Sequence, residues 1–444
     1  MTRISLLFKT SMLFLFGLPV LVLLGPILDF FSTDVAHILG WINNATMAWT
    51  LLYLGLVLLV LPDLSGRREW ICSTGLLACF AAALAWTVHM AQDPIVQIGG
   101  MLALGGAVGA GLLSYTLSRA GRPYPTRLAW AIALAAPALP IAPMLIAVAP
   151  DAYDSFMLKV YGFSNVRVVG YFTGGLSGLL AAIVLHPATR FRDQFLVSLA
   201  LCVTVAVMFW SGSRGALVAF LVGLVLAMLI LQRASLRGMC LSAAATGGGA
   251  LASTLMHLPG PTFGIIDRVA RNADAVRSAS DAGGSVADAA RAVSTNRVDL
   301  WEWAIDRIMQ APLTGHGYLP MSWMRAEPFN FYHTHNIVLE YWIGFGLIAG
   351  TVLLGIGVWA WIRAAGAARR IDTPAAAGLF AFVTVLPIHA CVSAALFFPY
   401  HLLLFAMALG ALIGWDIANR EGTAHRGARD AVFKPRADWM MEDS

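Results

Sequence analysis

Residues 215–232 read GALVAFLVGLVLAMLILQ, a run of eighteen residues without a charged side chain. A helix of this length spans most of the ~30 Å hydrocarbon core of a bilayer. Similar apolar blocks recur along the chain, in which 59% of the residues are hydrophobic and only 12% are charged. Because soluble domains carry about 25% charged residues, this composition predicts an integral membrane protein.

Twelve apolar blocks have about the length of a membrane-spanning helix. They cover residues 11–31, 45–62, 70–91, 95–118, 128–149, 168–187, 194–210, 215–232, 238–256, 337–362, 374–396 and 399–416. The first block follows Arg3 and Lys9 but is long and precedes no small-x-small cleavage site, so we expect an uncleaved helix. The pattern predicts an all-α, polytopic integral membrane protein with about twelve transmembrane helices.

The loops between these blocks differ in their basic residues. One alternating set of loops, together with both termini, holds 19 of the 29 Lys and Arg residues. The short loops of the other set hold only Lys159, Arg167 and Arg214. Basic residues favour the cytoplasmic side of a membrane. We therefore expect a multi-pass protein of the bacterial inner membrane, with both termini in the cytoplasm and the second set of loops in the periplasm.

This topology predicts four regions along the chain. Residues 1–256 would form transmembrane helices 1–9, and residues 257–336 a large helical periplasmic loop. Residues 337–416 would form helices 10–12, and residues 417–444 a disordered cytoplasmic tail, because the tail is polar, basic and without periodicity. The basic residues are dispersed over many loops, which argues against a nucleic-acid partner.

Ionisable residues are rare inside the predicted membrane helices. Such residues mark ion or proton pathways in transporters, but the first nine blocks contain almost none. Glu340 lies about one turn inside the tenth helix, and His389, the deepest candidate, is more readily explained by packing. A lipid or solute transporter and a scaffolding protein therefore remain alternatives with less support than an enzyme.

The segment Ser211-Gly-Ser-Arg-Gly215 joins two predicted helices at the periplasmic face. Its glycines permit a tight turn and the close approach of a ligand. Ser213 can cap the following helix, whose N-terminus favours an anion, and Arg214 offers a planar fork suited to phosphate. The hairpin predicts a diphosphate-binding corner, although Arg214 and Arg167 could also be ordinary external arginines.

The periplasmic loop contains a predicted amphipathic helix that begins after Ser294 or Thr295 and ends before Pro312. Its apolar residues at helical spacing are Val298, Trp301, Ile305 and Ile308. We expect this helix to lie in the membrane interface. Arg297 falls in its first turn, where a cation is unfavourable unless an anion is near. Arg297 is therefore either a ligand-binding residue or a side chain that extends to solvent or lipid phosphate.

His333 and His335 come shortly before the tenth apolar block. Two histidines beside the membrane fit either acid–base chemistry or a metal site. A metal would need further ligands such as His316 and Glu340, and no HExxH-type spacing is present. The spacing therefore favours acid–base chemistry.

Three segments together resemble the O-antigen ligase family of lipopolysaccharide ligases and related polysaccharide polymerases. The first is Ser211-Gly-Ser-Arg-Gly-Ala216. The second contains Arg297 and Trp301 and continues to Pro312-Leu-Thr-Gly-His-Gly317. The third is His333-Thr-His-Asn336, with Gly346 ten residues after Asn336. Arg167-Val-Val-Gly170 also looks like the family's Arg-x-x-Gly segment. The resemblance covers roughly residues 165–350.

The resemblance implies a glycosyltransferase that acts outside the cytoplasm in lipopolysaccharide or surface polysaccharide biosynthesis. Its donor would be a glycan carried on undecaprenyl diphosphate, and it would need no metal, nucleotide or other cofactor. The acceptor would be a sugar hydroxyl of lipid A-core in a ligase, or the end of another lipid-linked chain in an O-antigen or exopolysaccharide polymerase. Both alternatives remain open at this point.

The resemblance and the chemistry of the side chains together assign three catalytic residues. His335 would serve the acceptor hydroxyl as a general base. Arg214 and Arg297 would stabilise the negative charge that develops on the departing diphosphate. The predicted substrate-binding residues are Arg167, Ser211, Ser213, Trp301, His333 and Asn336.

Overall fold

The computed structural model describes residues 94–120, 123–140, 143–144, 166–258, 263–281, 297–317, 333–393, 395–397 and 399–432. All regular secondary structure within these ranges is helical. The predicted blocks 11–31, 45–62 and 70–91 lie outside the described residues, as do Ser294 and Thr295.

Eleven α-helices, numbered here in chain order, make up the described fold. They are α1 (Pro94–Arg119), α2 (Tyr124–Ala133), α3 (Val166–Leu185), α4 (Phe191–Trp210), α5 (Arg214–Leu231), α6 (Leu236–Ser253), α7 (Ile265–Asp281), α8 (Arg297–Gln310), α9 (Ile337–Ile371), α10 (Pro374–Ala390) and α11 (Pro399–Val432). Short 3-10 turns follow α2 at Ala136–Ala138 and precede α11 at Ala395–Phe397.

Five described helices are long and apolar enough to cross a membrane: α3, α4, α5, α9 and the His401–Glu421 part of α11. Helix α10 is apolar but shorter. Apolar side chains such as Leu229 on α5 and Trp359 on α9 are exposed, at 68% and 61%, which is typical of helices that face lipid. The predicted membrane class is therefore confirmed, while the number of twelve spans remains a prediction.

Three helix boundaries differ most from those that the sequence predicted. The block 128–149 starts within α2, but α2 ends at Ala133 because Pro137 cannot donate the backbone hydrogen bond that would continue it. The tenth block extends to Ile371 and is broken at Gly346, where φ is 77°. Helix α11 continues to Val432, so the described beginning of the predicted disordered tail is helical.

Helix α3 lies at the centre of the bundle and is buried along its whole span. It packs on α10 through Gly178, where an added Cβ would come within 2.7 Å of Val385, and on α5 through Gly174, which lies against Ala216. Small residues let membrane helices approach each other closely. The start of α3, the start of α5 and the end of α10 are thereby held side by side.

Helix α8 packs against the beginning of α9. The buried residues of this contact are Ala304 and Ile308 on α8 and Leu339 and Ile343 on α9. Leu300 on α8 is also buried. Ile305 was predicted to belong to the apolar face but is 50% exposed, because Ala304 and Ile308, four residues apart, form the face that packs on α9. The predicted location of α8 in the membrane interface remains a prediction.

The segment after α8 pairs with the broken turn of α9. The N–H groups of His316 and Gly317 donate to the carbonyls of Ile343 and Gly344 at 2.8 and 2.9 Å, and Leu347 N–H donates to Pro312 O at 2.7 Å. Gly346 can adopt its positive φ because it has no side chain, and a Cβ there would overlap the Leu313 carbonyl. This pairing fixes α8 against the first part of α9.

Candidate active site

A cavity of about 410 Å³ lies where the starts of α3, α5, α8 and α9 meet the end of α10. Six of the predicted catalytic and substrate-binding residues line it: Arg167, Ser213, Arg214, Trp301, Arg297 and His335. These residues come from four separate stretches of the chain. The structure therefore brings together all three predicted catalytic residues and half of the predicted substrate-binding residues. The roles of both sets remain predictions.

Four polar residues that sequence reasoning did not assign to the site also line the cavity: Tyr171, Arg268, His389 and Ser393. Tyr171 lies one turn beyond Arg167 on α3, so the helical repeat could have indicated it. Arg268 lies in a polar helix among other charged residues, and His389 is a lone histidine in an apolar helix. Neither carries a local signal of its own.

The hairpin between α4 and α5 forms one wall of the cavity. Gly212 turns the chain with a φ of 69°, and its carbonyl accepts a hydrogen bond of 3.0 Å from Arg268 Nη1. Ser213 occupies the N-cap position of α5, but its side chain makes no capping hydrogen bond, so the prediction that it caps the helix is wrong. The hairpin therefore presents Ser213 and Arg214 to the cavity and anchors Arg268.

Gly170 brings α3 against this hairpin. A Cβ on Gly170 would overlap the side chain of Ser213, so only glycine permits the contact. Because Gly170 follows Arg167 by about one helical turn, this contact places Arg167 beside Arg214. The Arg-x-x-Gly spacing noted in the sequence thus has a packing explanation.

Four guanidinium groups converge on the cavity, those of Arg167, Arg214, Arg268 and Arg297. Burial, reinforced by the positive charges of the neighbouring arginines, lowers the pKa of Arg268 to about 10. Burial also lowers the pKa of Arg297, and the charges of Arg167 and Arg214 act in the same direction. Such mutual repulsion is relieved when an anion binds between the arginines, and a ligand with several negatively charged oxygens would engage them best.

His335 is buried, with 6% of its surface exposed, and its backbone has a φ of 56°. Non-glycine residues rarely adopt this left-handed conformation, and they do so mostly where the surroundings enforce it. Burial, followed by the charges of His333, Arg297 and Arg167, lowers the pKa of His335 far below its ordinary value. The imidazole is therefore neutral at pH 7 and can accept a proton.

His333 lies behind His335 rather than in the cavity lining. The two rings meet edge-to-face with centroids 4.1 Å apart. Burial lowers the pKa of His333 to about 4, so this ring is also neutral. Its position supports the His335 ring but does not support direct substrate binding by His333.

A network around Thr334 holds the backbone on either side of His335. Thr334 N–H donates to Glu340 Oε2 at 2.8 Å, and the Thr334 hydroxyl lies 2.9 Å from the same oxygen. Trp301 Nε1 donates to the Thr334 carbonyl at 3.0 Å, which links this turn to α8. Glu340 and Trp301 therefore determine where the His335 turn sits relative to Arg297.

Two other predicted substrate-binding residues have structural roles. Asn336 Oδ1 accepts hydrogen bonds from Val338 N–H and Leu339 N–H, so Asn336 caps α9. Ser211 is fully buried outside the cavity lining, and its hydroxyl donates to Met208 O at 2.7 Å. Each side chain satisfies backbone groups of its own turn instead of facing the cavity.

His316, considered in the sequence as a further metal ligand, lies with Nε2 2.9 Å from the Arg307 carbonyl. Among the residues that the structure describes, no group of three or more His, Cys, Asp or Glu side chains could hold a metal ion. The arrangement that the cavity does offer is a neutral imidazole beside several guanidinium groups. Chemically, it can bind a multiply charged anion and accept a proton next to it.

Comparison with protein families gives a match to the family described as O-antigen ligase over residues 198–354. A search of curated proteins gives no match. The matched segment includes Arg214, Arg297 and His335, whereas Arg167 and His389 lie outside it. Over this segment, which is less than half of the chain, the protein is similar to the O-antigen ligase family.

Proposed function

We propose that this protein transfers a glycan from undecaprenyl diphosphate to a sugar hydroxyl of lipid A-core, at the periplasmic face of the bacterial inner membrane. The observation that carries the proposal is the convergence of four arginines around a neutral, buried His335 in one cavity. The family match supports the reaction class. A diphosphate supplies the multiple negatively charged oxygens that such a cluster of guanidinium groups binds best.

In the proposed reaction, the acceptor hydroxyl oxygen attacks C1 of the donor sugar. The new C1–O bond forms as the bond from C1 to the phosphate oxygen breaks, and the bonding electron pair leaves with the lipid diphosphate. The hydroxyl proton passes to a ring nitrogen of His335. Arg214 and Arg297, assisted by Arg167 and Arg268, stabilise the charge that grows on the leaving group. No metal is assigned a role in this scheme.

Donor binding would also change the pKa of His335. The positive charges of Arg297 and Arg167 contribute to the low pKa of His335. A bound diphosphate offsets these charges and therefore raises the pKa toward its ordinary value. His335 thus becomes a stronger proton acceptor only when the donor is in place, which disfavours proton transfer in the empty site.

The test is transfer in vitro by the purified protein from a lipid-linked glycan to rough lipopolysaccharide that carries lipid A-core, with a chelator present. We expect glycosylated lipid A-core as the product. Extension of the lipid-linked glycan itself would instead identify a polymerase. Activity that disappears with the chelator and returns with a divalent metal would contradict the metal-free scheme, and no glycosyl transfer to either acceptor would contradict the proposal.

A further inference from the structure

His389 is a buried polar residue in the cavity with no place in the scheme above. It lies in the last turn of α10, none of its surface is exposed, and it lines the same cavity as His335. Neither of its ring nitrogens has a hydrogen-bond partner among the described residues. Burying a polar group in this way costs free energy, so an imidazole that serves packing alone would be better replaced by an apolar ring.

The position of the ring is defined by its neighbours. Tyr171 meets it edge-to-face with centroids 4.8 Å apart, and a Cβ added to Gly215 would lie 3.1 Å from its Nε2. The Ser393 hydroxyl donates to the His389 carbonyl at 2.9 Å and fixes the backbone there. His389 Nε2 therefore lies beside the first turn of α5, next to Arg214.

A second buried histidine provides a contrast. His401 is also fully buried, and it packs edge-on against Tyr171 and Phe172 with centroids 6.3 and 6.2 Å away. His401 does not line the cavity. The two histidines thus share an aromatic environment around Tyr171, but only His389 can reach a ligand in the cavity.

We propose that His389 contacts the substrate, by donating a hydrogen bond from its imidazole to a phosphate oxygen of the lipid diphosphate held at Arg214. This inference rests on the proposed function and adds a residue from outside the family match. An imidazole has an N–H donor whether it is neutral or protonated. The bond strengthens as negative charge grows on the leaving group, so His389 aids departure of the diphosphate while His335 receives the acceptor proton.

The experiment compares three variants of the full-length protein in lipid nanodiscs. His389→Phe keeps a buried ring but removes the donor, His389→Gln keeps a side-chain donor, and His401→Phe is the matched control. Two readouts are used: steady-state transfer from the lipid-linked glycan, and binding of inorganic pyrophosphate measured by calorimetry. A thermal unfolding scan of each variant reports folding.

We expect His389→Phe to weaken pyrophosphate binding and to lower kcat/KM for the donor by roughly 10- to 100-fold, the effect of removing one hydrogen bond to a charged group. His389→Gln should recover part of this loss. His401→Phe should alter thermal stability while leaving the pyrophosphate Kd and the donor KM unchanged.

The outcomes separate this inference from the proposed function. Wild-type values of Kd and kcat/KM in His389→Phe, or equal losses in His389→Phe and His401→Phe, would overturn the inference and leave the proposed function intact. Pyrophosphate binding without glycan transfer by the wild type would overturn the proposed function, and the Kd of the variants would still decide the role of His389. Absence of both activities in a folded wild type would overturn both.

Discussion

The arginines at the two ends of the helix bundle have different neighbours. At the end opposite the cavity, Arg370 forms a two-pronged salt bridge with Asp416 at 2.7 and 2.8 Å, and Arg233 contacts Asp372 at 2.9 Å. Four arginines line the cavity, and no described lining residue is acidic. Arginines that serve the fold are placed against carboxylates, whereas arginines gathered in a cavity raise its affinity for an anionic ligand.

The buried histidines at the two ends of the bundle also have different neighbours. His186, at the opposite end, is 3% exposed and lies 3.3 Å from the Asp372 carboxylate. His335 and His389 are equally buried but line the cavity instead. Burial alone therefore does not separate these three histidines, whereas contact with the cavity does.

The largest expected effect comes from replacing His335. His335→Ala should lower the transfer rate by about 10²- to 10⁴-fold, because the acceptor hydroxyl loses its base, while expression and membrane insertion stay normal. His186→Ala is the matched control, and it should reduce thermal stability but keep most of the activity. Near-full transfer by His335→Ala in a steady-state assay would remove His335 from the mechanism.

Replacing Arg214 should have the next largest effect. Arg214→Lys keeps the positive charge but loses the planar fork, so we expect kcat/KM for the donor to fall roughly 10²-fold. Arg370→Lys makes the same change at the opposite end, where it should lower the melting temperature without altering the donor KM. Equal kinetics of Arg214→Lys and wild type would mean that Arg214 is merely structural.

The pH dependence of transfer tests the charge environment of His335. The base form is required, and the neutral fraction falls as the pH decreases through the pKa. Since the pKa of the donor-free site is lowered, kcat/KM should stay constant to well below about pH 6.5. The diphosphate raises the pKa, so kcat should decline at a higher pH than kcat/KM does. A decline of kcat/KM at a higher pH than the decline of kcat would contradict this account.

The smallest expected effect concerns the two buried carboxylates. Glu340→Ala should lower kcat by about tenfold, because Thr334 and the His335 turn lose a hydrogen-bond acceptor. Glu340→Gln keeps an acceptor oxygen and should therefore restore most of the rate. Asp416→Ala removes the partner of Arg370 and should affect the melting temperature rather than kcat. If Glu340→Ala changed only thermal stability, Glu340 would have no role in positioning His335.

Parts of the site could be predicted because their signals are local. Arg214 follows a glycine hairpin at the start of an apolar helix, and His335 precedes another such helix, so sequence position alone indicated both. Ser211 and Asn336 were predicted to bind substrate, but their side chains bond to nearby backbone. A polar residue at a turn can satisfy either its own turn or a ligand, and sequence spacing does not distinguish the two.

The amino-acid sequence by itself determined the membrane class and the approximate positions of most described helices, and it predicted arginine and histidine as site residues. These properties follow from apolar block length, helix-terminus signals and side-chain pKa, all of which are local. Only the tertiary structure decided that Arg268 and His389 join Arg214 and His335 in one cavity. Their placement depends on how α3, α5 and α10 pack, which is a property of contacts between residues far apart in the chain.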